Sequence, residues 1–149
     1  MEFYNPLNEL EDLKGVWEGT IYSNESKTKS SLIIKTIGHE IFEFNSTITK
    51  EDKELLFEKN ILFYDKAHEL LKAISINHEG YIEFADLEIR SKKKEIIIKS
   101  VFSSGFNLPP NIKILKTWLI DKKTNLINYK VKMGKEESVI LTAEYSFQI

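Results

Sequence analysis

Cysteine is absent from the 149 residues, which excludes disulfide frameworks, thiolate metal sites and cysteine nucleophiles. Net charge is nearly absent too. The 21 basic and 23 acidic residues leave a formal −2, which argues against a dedicated electrostatic partner such as duplex nucleic acid or an anionic membrane surface. Arg90 is the sole arginine, so the basic residues are otherwise lysine. No apolar run approaches the ~20 residues of a membrane helix. Met1-Glu2-Phe3-Tyr4-Asn5-Pro6 has neither a basic n-region nor an apolar h-region, so no signal peptide is expected and a cytoplasmic setting is the simplest reading. The three histidines, His39, His68 and His78, lack the spacing of a metal pair on one element. Gly-x-Ser-x-Gly, Gly-x-Gly-x-x-Gly and a phosphate-binding loop are all missing.

What is present is periodicity. Asn5 and Pro6 suit the cap and first position of a short helix over 5–14, and Gly15 ends it. Leu7, Leu10 and Leu13 make one apolar stripe, and so short a helix must lie on something larger. From Gly15 onward the chain alternates with period two. Ten strands are expected, at about 15–23, 30–37, 39–49, 54–64, 69–77, 80–90, 94–103, 112–121, 125–133 and 138–148. Phe42/Phe44/Ile48, Leu115/Thr117/Leu119 and Ile127/Tyr129/Val131/Met133 illustrate the alternation. The one long irregular stretch, Ser103–Asn111, contains Pro109-Pro110, which cannot sit in a central strand. Regular strand-plus-turn spacing is the mark of an antiparallel meander, and closure disposes of its edges. The expected fold is therefore all-β: one domain over 1–149, a single antiparallel up-and-down barrel of about ten strands with the short N-terminal helix closing one end. Trp17 would sit just inside that end. Gly19 would allow a bend or a close backbone approach.

Few residues carry chemistry. The histidines read as solvated or turn residues, with His39, at a strand start, the best placed to point inward. Glu83 shares its parity with Tyr81, Ala85, Leu87 and Ile89. Because charges are rarely buried, the expectation is that Ile82 and Phe84 face inward and Glu83 is solvated. The alternative puts Glu83 inside with a raised pKa, as an acid or ligand anchor. Lys92-Lys93-Lys94 reads as a solvated hairpin tip. The aromatic residues on strands either fill the core or line a cavity. A ten-stranded barrel is wider than the eight strands whose side chains just fill the interior, which favours a cavity. The candidate ligand-binding residues are Phe42, Phe44, Phe84, Phe102, Trp118 and Tyr129.

The stretch Leu10-x-x-Leu13-Lys14-Gly15-Val16-Trp17-Glu18-Gly19 resembles the start of calycin-type barrels, the lipocalins and fatty-acid-binding proteins among them. It is most similar to the nitrobindin-like haem-binding barrels, which open with Pro-Leu, a leucine-spaced helix and Gly-x-Trp-x-Gly. Residues 112–121, 125–133 and 140–145 resemble that family's C-terminal strands. The resemblance implies a barrel with an internal apolar pocket. That family carries its haem-ligating histidine at the head of the last strand, where this chain has Val139 and Ile140, and no histidine follows His78. Haem is accordingly disfavoured and no cofactor is expected.

Together these readings point to a binding, carrier or sensor protein for a small apolar ligand held inside the barrel. Two alternatives stand beside it: an isomerase or hydrolase acting on a lipophilic substrate through an inward carboxylate or histidine, and a structural barrel that pairs as a homodimer. Any ligand is expected at the open end or the middle, away from the helix.

Overall fold

Three leucines at i, i+3 and i+6 match a helix of three residues per turn better than one of 3.6. The chain indeed opens with a 3₁₀ helix, Pro6–Leu13, whose Leu7, Leu10 and Leu13 are all buried. The Asn5 side chain caps it by accepting a 2.9 Å hydrogen bond from the Leu7 amide. In this computed structural model, residues 5–38, 40–106 and 113–148 are described, for 101–106 the backbone alone.

Ten strands follow among the described residues. They are β1 Gly15–Ser23, β2 Ser26–Ile37, β3 Ile41–Lys50, β4 Lys53–Asp65 and β5 Leu70–Asn77, then β6 Ile82–Lys92, β7 Glu95–Phe106, β8 Ile114–Asp121, β9 Leu126–Met133 and β10 Ser138–Phe147. Each pairs antiparallel with its sequence neighbours, and β1 pairs with β10 to close the barrel. The expected architecture is the one observed. Two boundaries move most: β2 begins at Ser26 where 30 was expected, and β7 runs on to Phe106, through residues expected to begin a rim loop. The Pro109-Pro110 pair lies outside the described residues.

The connections follow from local chemistry. Asn24-Glu25 and Glu51-Asp52 take positive φ and form two-residue hairpin turns, between the Ser23–Ser26 and Lys50–Lys53 pairs. Asp65, Asn77 and Asp121 each accept hydrogen bonds from two amides further along the chain, which turns the backbone at the ends of β4, β5 and β8.

The helix end of the barrel is sealed. Trp17 Nε1 donates to the Leu13 carbonyl at 3.0 Å, and its ring meets Phe147 edge-on at 5.0 Å. A Cβ at Gly19 would fall 1.7 Å from the Glu144 carbonyl oxygen, so glycine is what lets β10 come this close at the closure. Above this seal lies a packed aromatic layer. Trp118 stacks on Tyr129 at 4.8 Å and meets Phe44 edge-on at 5.8 Å.

On β8 the inward face is Ile114, Lys116, Trp118 and Ile120, while Leu119 is 36% exposed. The alternation expected from Leu115/Thr117/Leu119 therefore marks the outer face, since the bulkier Trp118 takes the core.

Candidate functional site

Pocket and core divide the barrel by height. At the end opposite the helix, a cavity of about 530 Å³ opens between the strand ends. Ile21, Ile48, Phe57, Ile114, Val131 and Met133 make its walls largely apolar, and Ser23, Thr28, Ser75 and Asn77 add polar groups. Phe57 reaches it because a bulge sets Thr47 opposite Leu56 and Ser46 opposite Glu58, leaving Phe57 as the extra residue. It stacks on His78 at 5.0 Å beside the mouth.

Charge is concentrated at the bottom. Glu58 from β4, Glu83 from β6 and Lys116 from β8 all point inward, are buried, and line the cavity. Lys116 Nζ lies 3.3 Å from Glu58 Oε2 and 3.4 Å from Glu83 Oε2. Glu58 is well supplied with donors. Its Oε1 accepts from Tyr129 Oη at 2.7 Å and from Asn60 Nδ2 at 2.6 Å, and Asn60 Oδ1 in turn accepts from Ser75. The Lys116 amide donates to Ser100 Oγ at 2.8 Å, just beyond Lys99–Thr117, the end of the β7–β8 ladder. Glu83 differs. Its Oε1 is buried and has no hydrogen-bond partner among the described residues.

The electrostatics follow this arrangement. Burial pushes the Glu83 carboxyl above its ordinary value; Lys116 pulls it back in part, and the Glu58 charge adds to the rise. For Lys116, burial alone would lower the pKa, but Glu58 and Glu83 outweigh it and the net direction is up, so the ammonium stays charged. Burial, reinforced by Glu58, holds the Tyr129 phenol well above the usual tyrosine range. Tyr145, buried beside Ser30 at 2.9 Å, is pushed up to about 12, chiefly by burial.

The candidate residues scatter around this site. Phe42, Phe44, Trp118 and Tyr129 are buried in the interior, in the packed core outside the cavity lining, and only the Tyr129 hydroxyl bonds to one of its residues, Glu58. Phe84 is a correction: it lies on the outer face and is 40% exposed, because β6 turns Glu83, Ala85 and Leu87 inward. The expectation that Glu83 is solvated falls with it. Phe102 and His39 lie outside the residues whose side chains are described. His68 is exposed and pairs with Asp65 at 2.8 Å. Glu58 and Lys116 were not foreseen. The available signal was parity, since Lys116 shares its face with Ile114, Trp118 and Ile120.

Among the described residues no cluster of three or more His, Asp or Glu is placed to hold a metal ion. At the head of β10, Val139 and Ile140 present hydrocarbon only, so that position does not fit a haem ligand.

No family model matches the sequence, and no curated protein does. The fold is shared with a solved structure, that of Rv2717c from M. tuberculosis. It superposes with a TM-score of 0.76 over 99% of this chain and 100% of that one, at 13% sequence identity. At such low identity the likeness speaks for the barrel fold alone.

Proposed function

We propose that the chain is a binding protein, a carrier or sensor, for a small and largely apolar ligand held in the open end of the barrel. One observation carries this reading: the end of the barrel opposite the helix holds a cavity of about 530 Å³ with a largely apolar lining, above the buried layer of Phe44, Trp118 and Tyr129. Ligand sites are commonly of this size and character, with a few fixed polar groups among apolar walls. The neutral fluorophore N-phenyl-1-naphthylamine tests it. Saturable enhancement at one site per chain is expected, and Met133→Trp at the mouth should abolish it while leaving the melting temperature in place. Absence of saturable binding, or binding indifferent to the blocking tryptophan, would contradict the reading.

A second reading rests on Glu83. A buried carboxyl of raised pKa beside a lysine, facing an apolar cavity, has the parts of a general acid or base for an isomerase or hydrolase acting on a lipophilic substrate. It would show as turnover that Glu83→Gln removes while probe binding persists.

A further inference from the structure

The cavity floor makes a demand on what enters. Glu83 lies on an inward face, is 5% exposed and lines the cavity, yet its Oε1 lacks a donor among the described residues. A buried acceptor without a partner is costly, and more so when it is charged. The donors described around it are engaged elsewhere. Lys116 already bridges Glu83 Oε2 and Glu58 Oε2, while Tyr129 and Asn60 are committed to Glu58.

The charge around the cavity points the same way. Glu58, Glu79 and Glu83 line it, against Lys116 as the only lysine or arginine among the described lining residues. His78 and Tyr81 stand at the same end, where His78 Nε2 lies 3.7 Å from Glu79 Oε1. The floor and mouth are thus formally negative, in a chain where lysine is otherwise plentiful. An anionic head such as a carboxylate would meet like charge in a low-dielectric site, and a purely apolar molecule would leave the Glu83 oxygen unmet.

We propose, resting on the binding reading above, that the ligand is a small amphiphile with a cationic head, a protonated amine. The head donates to Glu83 Oε1, and the hydrocarbon part lies against Ile21, Ile48, Phe57 and Val131. The walls supply the apolar contact and the free carboxylate oxygen supplies the selectivity.

Isothermal titration of the full chain at pH 7 with octylamine, 1-octanol and octanoate, matched in chain length, tests this. Octylamine should bind one to one and at least about tenfold more tightly than 1-octanol, as expected of a charge-assisted hydrogen bond in a buried site. Octanoate should be the weakest. Glu83→Gln keeps the shape and a hydrogen-bonding group, and should bring octylamine to within about threefold of 1-octanol. If 1-octanol or octanoate equals octylamine, or if Glu83→Gln leaves the preference intact, the cationic-head assignment is wrong while the cavity still binds. If none of the three binds, the binding reading itself fails and takes the assignment with it.

Discussion

Replacing Lys116 with methionine removes the one cation that separates two buried carboxylates while keeping most of the side-chain volume. In the native barrel Glu58 and Glu83 would then share the floor with no compensating charge. Breaking a buried ion pair from one side costs about 3–5 kcal/mol. Unfolding entropy near 2.1 cal/mol/K per residue, over 149 residues, comes to roughly 0.3 kcal/mol/K, so the melting temperature should fall by about 10–15 °C at pH 7. The loss carries a pH signature. Without Lys116 the Glu83 carboxyl, already raised by burial, loses the charge that pulls it back and binds its proton more tightly in the folded barrel than in the unfolded chain. The variant's stability is then greatest at low pH and drains away as the pH rises through the folded pKa of Glu83. Calorimetric melts from pH 4 to pH 8 should show the deficit widening with pH. Adding Glu58→Gln and Glu83→Gln to Lys116→Met should recover most of the loss, because a neutral hydrogen-bonded floor needs no cation. A Lys116→Met variant within about 1 kcal/mol of the parent at pH 7, or a deficit independent of pH, would refute the picture of a coupled buried triad.

Glu83→Gln alone should raise the melting temperature at pH 7. The raised folded pKa means that Glu83 contributes stability fully below its unfolded pKa and loses it as the pH rises, so the advantage of glutamine should close in melts near pH 4. Gly19→Ala should destabilise the barrel markedly, since the added methyl meets the Glu144 carbonyl and must push β10 off β1; weakened amide-exchange protection along that one seam would identify the cause. Trp17→Ala should cost about 3–5 kcal/mol in a denaturant melt, as loss of a buried aromatic that seals the helix end, and a near-neutral result would mean the seal is not part of the core.

Much of the fold is visible in the bare chain because a period-two strand writes its two faces into the residue order. Phe42/Phe44 and Ile127/Tyr129/Val131 point where their alternation says, and the leucines at 7, 10 and 13 align as three residues per turn requires. The floor of the site was far less legible. Glu58, Glu83 and Lys116 come from three strands that are not neighbours in the sheet, and they meet only because the barrel brings their inner faces across one interior. Taken singly, each charge looks like a solvated residue. The parity of Glu83 with Ala85 and Leu87 pointed inward, but the general cost of burying a carboxylate pointed outward, and the partner that settles the conflict lies 33 positions away at Lys116. Two competing parities on β8 hid that partner, because Leu115 and Leu119 also alternate. On β4 the bulge at Phe57 shifts the phase of the pattern, so a simple odd-even reading loses Glu58.

In the binding reading, small molecules enter the end of the barrel opposite the helix and reach the charged floor. Methyl-resolved NMR of the full chain titrated with octylamine tests it most directly. Saturable shifts are expected at Ile21, Ile48, Ile114, Val131 and Met133, with Leu7, Leu10 and Leu13 of the seal unmoved. Shifts centred on the seal or on the outer-face Leu119 and Ile33, or no saturable shift at millimolar probe, would contradict it.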